Sequence, residues 1–332
     1  MRNTRHIKAL ALALGALWAG HASAMEPRHL EHPHTRGTWA FDYIYMHMNM
    51  KGLRAGTDDV SAADATASAM SGGLGYMMAP TEMTMDMHMF MPMYNFTREW
   101  AVMGMVQYVS KDMTMVNGNG DVSTMSTEGA GDTHVSLTYE FLPEQAALGV
   151  DLSIPTGAID EQVTMMNMPQ RAPYAMQLGS GTYDLTPIAT YMGAYYHLRY
   201  GLQLRYTHRL GENDAGYTLG DEARAKAWVH HPVGRVNLWL MGDYVRWGDI
   251  EGNDPAIRTQ TTMNSMTMKT APTAFTRNYG GKRMDLTVAV DMAVWGPLTL
   301  GAELTRPLYQ DLNGDAQMKH NFTTRAYLQA IF

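Results

Sequence analysis

The sequence of 332 residues has no cysteine and, beyond its first 24 residues, no long apolar segment and no basic cluster. Without cysteine, the chain can form neither a disulfide scaffold nor a thiolate metal site. No later stretch approaches the roughly 20 consecutive apolar residues that a membrane helix needs. The formal net charge is −7, and nothing indicates nucleic acid as a partner. An exported soluble domain and an outer-membrane β-barrel both fit these absences.

Residues 1–24 have the three parts of a secretory signal peptide. Three basic residues precede an apolar run at 9–19, which leads to Ala22-Ser23-Ala24, a small-residue cleavage site. The sequence therefore predicts export of the chain. Residues 25–36 are then a His-containing periplasmic tail, and residues 37–332 are the folded domain.

Alternation of apolar and polar residues is the main structural signal in the folded domain. Successive side chains of an extended chain point to opposite faces, and Val135 and Leu137 alternate with Ser136 in this way. Twelve segments of this kind are each close to the roughly 9–11 residues that cross a bilayer at a tilt. They lie near 37–49, 83–95, 99–110, 132–142, 146–155, 182–193, 195–209, 221–231, 235–247, 283–294, 297–307 and 321–332.

The connections between these segments alternate between tight turns and longer stretches rich in Gly, Asn, Asp and Thr. Up-and-down outer-membrane barrels have short periplasmic turns and longer outer loops in the same order. The chain ends on an alternating segment whose last residue, Phe332, resembles the C-terminal signature recognised by the barrel-assembly machinery. We therefore predict an all-β fold, a transmembrane up-and-down antiparallel β-barrel of about twelve strands. It would lie in outer-membrane lipid of a Gram-negative bacterium, with both termini periplasmic.

Charged residues of such a barrel should point into the lumen, because a charge in hydrocarbon is costly. Strand parity places the following side chains inside: Asp42, Glu140, Asp151, Arg199, Arg205, Arg224, Lys226, Asp243, Asp285, Asp291, Glu303 and Arg325. Two interpretations stay open at this point, a salt-bridge network that fills a narrow lumen and a polar permeation path.

Methionine is unusually abundant, with 31 residues against 27 leucines. Between positions 83 and 93 it occupies every second position, so six thioethers share one face of a strand. If Phe90 points outward, these six face the lumen. The opposite orientation would bring Asp86 and His88 inward and leave the methionines in lipid. We predict the inward orientation.

Thioether sulfur is a soft ligand that prefers Cu(I) and similar ions such as Ag(I) to hard cations. Several methionines also fall in polar connections that should face water, where lipid contact does not explain them. They are Met113, Met115, Met125, Met165, Met166, Met168, Met263, Met266 and Met268. An alternative interpretation of these residues is a sacrificial oxidation surface. No cofactor is required, but a soft-metal site with Cu(I) or Ag(I) is predicted. Its candidate ligands are Met46, Met48, Met50, Met83, Met85, Met87, Met89, Met91, Met93, Met103, Met105, Met113, Met115, Met166, Met168, Met266 and Met268.

Three histidines in the N-terminal tail, His29, His32 and His34, are a second candidate metal site. A short His-rich tract can bind Cu(II), Zn or Ni. A solvated tail without metal is an equally acceptable interpretation of the same residues.

Three segments carry a family resemblance: GAGDTHVSLTYEF at 129–141, LSIPTG at 152–157 and QLGSGTYDLTPIATYMG at 177–193. They resemble outer-membrane proteins grouped with the phenol meta-degradation pathway. The resemblance implies a small barrel that transports small molecules, often apolar aromatics. The methionine tracts are similar instead to those of copper-resistance outer-membrane proteins.

Catalytic motifs such as GxSxG and HExxH are absent from the sequence, so no enzyme is predicted. The main functional prediction is an outer-membrane barrel that handles a soft metal ion, copper, by binding, resistance or transport. The alternative is a transporter of small hydrophobic or aromatic compounds. A third interpretation is a structural or metal-sequestering barrel without a conducting path.

Overall fold

The computed structural model describes residues 36–165, 168–263 and 266–332. Eleven strands of this part of the chain form one closed antiparallel sheet. They are β1 (Trp39–Gly56), β3 (Met78–Asn95), β4 (Trp100–Asn117), β6 (Thr133–Leu142), β7 (Ala146–Ile154), β10 (Tyr183–Tyr195), β11 (Leu198–Leu210), β13 (Glu222–Val233), β14 (Val236–Trp247), β18 (Gly281–Trp295) and β19 (Leu298–Ile331). The connections contain shorter strands, namely β2 (Asp58–Val60), β5 (Val122–Ala130), β8 (Gln162–Met165), β9 (Met168–Arg171), β12 (Tyr217–Thr218), β15 (Glu251–Gly252), β16 (Gln260–Met263) and β17 (Met266–Lys269).

Helical structure is limited to short segments of the connections. The helix α1 spans Ala62–Thr66, and 3-10 turns span Ala69–Ser71, Tyr174–Met176, Pro272–Ala274 and Thr276–Asn278. Ser61 caps α1, because its hydroxyl accepts a hydrogen bond from the backbone N–H of Asp64 at 3.0 Å. None of the helices in the described residues is long and apolar enough to cross a membrane.

Each strand of the closed sheet pairs with the next one along the chain, and β1 pairs with β19 to complete the barrel. Tight turns join β3 to β4, β6 to β7, β10 to β11, β13 to β14 and β18 to β19. We call this side of the barrel the turn end and the opposite side, with the long connections, the loop end. The predicted closed antiparallel barrel and its alternation of short and long connections are confirmed.

The number of strands differs from the prediction because of the last strand, β19, which is 34 residues long. Residues 298–312 pair with β18, and residues 312–331 pair with β1, both antiparallel. The chain must therefore reverse its direction within β19, and Gly314 at φ +78° provides the left-handed conformation there. Two of the twelve predicted segments are thus the two arms of one strand.

The outer surface of the barrel carries a belt of exposed apolar side chains, including Leu137, Val150, Leu202, Leu204, Leu240, Val288 and Leu304. Exposed aromatic side chains lie on both sides of this belt. Those near the turn end are Trp39, Tyr139, Tyr195, Trp295 and Phe332, and those nearer the loop end are Tyr45, Tyr108, Tyr183, Tyr206 and Tyr309. Such a large exposed apolar surface is unusual on a soluble protein. An apolar belt with a girdle of aromatic side chains on each side is typical of transmembrane barrels.

Inward-facing side chains fill much of the lumen. Gly201 and Gly301 each face an aromatic ring, that of Trp228 and that of Tyr327, so closely that a Cβ atom would overlap it. Glycine therefore lets these two rings lie across the neighbouring strand and join the main hydrophobic cluster. A second hydrophobic cluster lies at the loop end, where the long connections fold over the mouth of the barrel.

Candidate functional site

The inner faces of β1, β3 and β4 consist mainly of methionine, and we call this surface the methionine wall. Its members are Met46, Met48, Met50, Met83, Met85, Met87, Met89, Met91, Met93, Met103 and Met105. Met48 is half-buried, and the others are at most 7% exposed. Strand pairing sets Met46 beside Met87 and Met93 beside Met103, which makes the surface continuous across three strands.

The outer face of β3 confirms the inward orientation of its six alternating methionines. Phe90 is 46% exposed, and Asp86 and His88 share its parity. Asp86 accepts a hydrogen bond from the Tyr45 hydroxyl at 2.5 Å, and His88 Nδ1 lies 2.7 Å from the Tyr43 hydroxyl. Asp86 and His88 can therefore point outward, because hydrogen bonds to neighbouring tyrosines pair their polar atoms. Both lie near the girdle of aromatic side chains at the loop end.

The inner faces of the strands from β6 to β19 carry charged and polar side chains, and we call this surface the charged wall. Its ionisable members include Glu140, Asp151, Asp184, Arg205, Arg209, Glu222, Arg224, Lys226, Asp243, Asp285, Asp291, Glu303 and Arg325. Arg224 pairs with Asp243 at 3.1 Å across two neighbouring strands, and His134 Nδ1 lies 2.8 Å from Asp151 in the same way. Arg209 and Asp184 form a pair in which both side chains are only 1% exposed.

All of the predicted lumenal charges except Arg199 are buried or half-buried on the inner face, including Asp42 on β1. Arg199 has the inward parity but is exposed, because it lies one residue after the start of β11, at the rim of the turn end. Its cross-strand partner His230 is buried, so Arg199 shares the inner face with the other charges although its side chain is exposed. The pairing of the other charges favours a salt-bridge network over an open polar path.

The two walls meet in the half of the lumen nearest the turn end. Trp228 and Trp239 of the charged wall belong to the same hydrophobic cluster as the methionines. Trp239 donates its indole N–H to Asp291 at 2.5 Å, and the His230 ring stacks on it with 4.0 Å between the ring centroids. Aromatic rings anchored in this way give the flexible thioethers a firm surface to pack against.

A cavity of about 120 Å³ lies in the other half of the lumen, under the connections of the loop end. Methionine forms its barrel side, through Met48, Met50, Met83, Met85, Met87 and Met318. Two connections form its cover, through Tyr174, Ala175, Gln177, Leu178, Pro272, Thr273 and Tyr279. The methionine wall therefore borders empty space at this cavity.

The expectation that the connections hold water-facing methionines is wrong for Met113, Met115 and Met125. Each is at most 5% exposed. The reason is that β4 continues to Asn117 and pairs there with β5, while other connections cover both strands. These methionines pack in the hydrophobic cluster of the loop end, which strand parity alone could not predict.

The three segments of the family resemblance meet at one carboxylate, Asp132. Its Oδ1 accepts the backbone N–H of Gly157 at 3.0 Å, and its Oδ2 accepts that of Ser180 at 2.8 Å. The Gln107 side chain donates to its backbone carbonyl at 3.0 Å. Burial raises the pKa of Asp132, and the two N–H groups oppose this increase. The residue thus fixes the connection that covers the cavity to the wall strands beside it.

Lys111 of β4 fixes the same connection from inside the barrel. Its Nζ donates to the carbonyl of Ala175 at 3.0 Å and to that of Gln177. Neither Lys111 nor Asp132 was expected from the sequence to have a role. In the sequence, Lys111 and Asp132 lie in or beside a polar connection. Only the three-dimensional fold brings them to the cavity.

A cluster of tyrosines supports the cover of the cavity. Tyr174 makes edge-to-face contacts with Tyr217 and Tyr279, with ring centroids 4.9 and 5.6 Å apart. The Tyr279 hydroxyl donates to the carbonyl of Thr273 at 2.6 Å and accepts the N–H of Ala175 at 3.1 Å. Burial raises the pKa of all three phenols.

The remaining predicted metal ligands belong to the N-terminal tail and to two long connections. His29, His32, His34 and Met166 lie outside the described residues, as does the predicted signal peptide, while Met168 belongs to β9, and Met266 and Met268 belong to β17. Among the residues that the structure describes, no three His, Asp or Glu side chains converge on a point that could hold a metal ion.

No protein-family model matches the chain, and no curated protein matches it. Among solved structures it is similar to an outer-membrane channel from Pseudomonas putida F1, with a TM-score of 0.60 and 13% identity over 93% of this chain and 100% of that one. The β-domain of the Bordetella autotransporter BrkA has a TM-score of 0.48 and 10% identity, over 90% of this chain and 100% of that one. The toluene transporter TbuX of Ralstonia pickettii has a TM-score of 0.45 and 11% identity, over 90% of both chains. At 13% identity, the similarity to the Pseudomonas putida channel shows only that this chain has the fold of an outer-membrane β-barrel.

The comparisons contradict the prediction of copper handling. The solved structure whose fold this chain shares is an outer-membrane channel, and that likeness gives no support to copper handling. The comparisons support neither the grouping with phenol meta-degradation proteins nor a likeness to copper-resistance proteins. Binding of Cu(I) or Ag(I) by the thioethers stays a prediction.

Proposed function

We propose that the protein is an outer-membrane channel for small apolar solutes and that the loop-end cavity is its solute-binding site. The observation that carries this proposal is the cavity itself, which combines an apolar methionine surface with a cover made of two connections. Ligand sites are typically concave and mostly apolar, with a few polar groups that fix orientation. The fold shared with an outer-membrane channel supports the same conclusion.

The volume of the cavity sets the size of the solute. A dry apolar cavity of about 150 Å³ is known to bind benzene. At about 120 Å³, this cavity matches a molecule of approximately one six-membered ring. Much larger solutes would require the cover to move, because the thioethers can shift but the strands that carry them are part of the barrel wall.

Methionine suits a surface along which different apolar molecules pass. Its side chain is unbranched, flexible and polarisable, so it adapts to irregular shapes and makes favourable contacts with aromatic rings. Met85 and Met87 line the cavity and also belong to the cluster that fills the lumen towards the turn end. A solute would therefore move from the cavity along the methionine wall by displacing thioethers, while the charged wall keeps the shape of the barrel.

The experiment measures binding of ¹⁴C-toluene to the purified barrel in detergent by equilibrium dialysis, with protein-free micelles as the blank. The triple variant Met50→Gln, Met83→Gln and Met85→Gln keeps side-chain length but replaces cavity sulfur by amide. Toluene binding should weaken about tenfold or more, because the variant places polar amides where the apolar solute lies. A tenfold loss corresponds to roughly 1.4 kcal/mol of binding free energy. The matched control is Met70→Gln, because Met70 is 97% exposed in a connection.

A closed barrel has heat-modifiable gel mobility, which verifies that each variant is folded. If wild type, triple variant and control bind toluene equally, the cavity is not the site. If intact cells with and without the protein take up toluene at the same rate, the protein is not a channel for such solutes.

A further inference from the structure

Three large aromatic rings, those of Trp228, Trp239 and Tyr327, lie inside the turn-end half of the lumen. Each of these residues is at most 6% exposed, and all three belong to one hydrophobic cluster with the methionine wall. The two tryptophans are on β13 and β14, on the far side of the barrel from the methionine strands β3 and β4. The cluster therefore extends across the lumen from one wall to the other, and water reaches almost none of its surface.

One carboxylate, that of Asp291, holds two of the rings in place. The indole N–H of Trp239 and the hydroxyl of Tyr327 both donate to its Oδ2, at 2.5 and 3.2 Å. The amide of Asn237 donates to its Oδ1 at 2.6 Å. Hydrogen bonds to an ionised acceptor are the stronger kind, so these contacts fix the rings. Asp291 is itself 5% exposed and therefore does not present its charge to the lumen.

Glycine on the neighbouring strand gives two of the rings their place. The ring of Trp228 lies against Gly201 and that of Tyr327 against Gly301, and a Cβ atom at either glycine would overlap the ring. Each ring can therefore lie over the next strand only because glycine faces it. For the same reason, removal of a ring leaves no side chain at that glycine to take its place.

The methionines across the lumen from the tryptophans form a surface of the opposite kind. Met89, Met91 and Met105 are each 1% exposed and belong to the same cluster. Strand pairing sets Met89 beside Ile44, and Ile44 beside Tyr327. Thioether side chains are unbranched and flexible, and they adapt to the shape of their neighbours. When a solute enters the cluster, the methionines can therefore move while the rings stay fixed.

Resting on the proposed function, we infer that Trp228, Trp239 and Tyr327 are the specificity-determining residues of the channel, with Asp291 as their positioning residue. With the methionines across the lumen they form an apolar constriction. Water and ions are excluded, because a polar group in a space without hydrogen-bond partners is costly and apolar constrictions close channels by dewetting. An apolar solute from the loop-end cavity passes by displacing thioethers against the fixed rings.

The current across a planar lipid bilayer that contains the full barrel tests the exclusion of ions. Wild type should give no steady current in potassium chloride. The double variant Trp228→Ala, Tyr327→Ala removes two rings that face glycine and should conduct steadily. The matched control is Tyr196→Ala, Trp295→Ala, because these residues are 86% and 78% exposed at the turn end. The control should stay closed, and heat-modifiable gel mobility verifies that both variants are folded.

A milder variant tests the positioning role of Asp291. Tyr327→Phe keeps the ring but removes its hydrogen bond to the carboxylate. Brief openings of the channel should become about tenfold more frequent, because a hydrogen bond to a charged group is lost. Tyr43→Phe is the control, since the hydroxyl of Tyr43 contacts His88 at 2.7 Å on the outer face. Equal opening frequencies of the two variants would show that Asp291 does not position the ring.

A change on the methionine side tests the path of the solute. Met89→Ile keeps an apolar side chain of similar size but stiffens it, because isoleucine is branched at Cβ. Uptake of ¹⁴C-toluene by intact cells should slow about tenfold, since displacement of the side chain becomes harder. Toluene binding in equilibrium dialysis should stay unchanged, because Met89 lies outside the loop-end cavity. Met292→Ile on the outer face should alter neither uptake nor binding.

The outcomes distinguish this inference from the proposed function. A steady current in wild type, or a folded double variant that stays closed, overturns the constriction but leaves the cavity as the solute site. Equal toluene uptake by Met89→Ile and Met292→Ile also overturns it. If the double variant does not fold, Tyr327→Phe and Met89→Ile decide. Failure of wild type to bind toluene contradicts the proposed function itself.

Discussion

The two walls of the lumen hold the same barrel together in different ways. Contacts of the charged wall are directional and cross-link neighbouring strands, as Arg209 of β11 does with Asp184 of β10. Contacts of the methionine wall are non-directional, and no thioether depends on one particular partner. The difference teaches that one side of the lumen fixes the shape of the barrel, while the other side can rearrange around a solute without breaking specific bonds.

Breaking one pair of the charged wall should have the largest effect on stability. Arg209→Met removes the cationic partner of Asp184, whose side chain is 1% exposed, and leaves a buried carboxylate that accepts a hydrogen bond from the Thr182 hydroxyl at 2.6 Å. The loss of one partner of a buried ion pair typically costs about 3–5 kcal/mol. Urea-induced unfolding of the barrel in lipid vesicles measures this cost. The double variant Arg209→Met, Asp184→Leu should recover most of it, and equal destabilisation of the two variants would contradict the pairing argument.

The junction at Asp132 should give an intermediate effect, because it joins the cover to strands of both walls. Asp132→Asn leaves one acceptor oxygen for two N–H groups and removes the charge that strengthens both hydrogen bonds. We expect a loss of about 1–3 kcal/mol that is confined to the cover. Hydrogen exchange should accelerate at Gly157 and Ser180 and stay unchanged in β13 and β14. Uniform acceleration across the barrel would show that Asp132 does not act locally.

Changes within the methionine wall should have the smallest effect on stability. Met89→Leu at a position 1% exposed keeps the volume and hydrophobicity of the side chain, and such exchanges usually cost less than about 1.5 kcal/mol. The same urea titration serves as the measurement. Met292→Leu on the outer face, where the side chain is 42% exposed, is the matched control and should be close to neutral. A loss as large as that of Arg209→Met would mean that the thioethers form specific contacts after all.

The barrel was predictable from the sequence because strand alternation and the order of short and long connections are local properties. The inward orientation of the methionines in β3 followed from Phe90, which had to point outward. The lumenal position of Glu303 and Asp291 followed from the same parity rule. Such inferences need only the residue and its neighbours in the chain.

The cover and its cavity were not predictable, because they depend on contacts between connections that are far apart in the sequence. Met113 and Met125 belong to a polar-looking stretch and are nevertheless buried. Asp132 receives hydrogen bonds from residues 25 and 48 positions away. The resemblance of three segments marked these regions, but no periodicity indicates that they meet at one carboxylate. Copper handling was inferred from the composition of soft donor atoms alone, and the fold shared with an outer-membrane channel does not support it.

The pairing of β1 with β19 has a consequence for the order of events during folding. Ala40 pairs with Ile331, and the backbones of Trp39 and Phe332 exchange two hydrogen bonds of 3.0 and 2.8 Å. The pairing of β1 with β19 thus joins the first and last strands of the barrel. The chain between them is a closed loop, and its conformational entropy must be lost before these contacts form. Contacts of such sequence separation form slowly. The barrel cannot close before the residues of β19 have been delivered, and until then β1 presents an unpaired edge that needs protection from other chains.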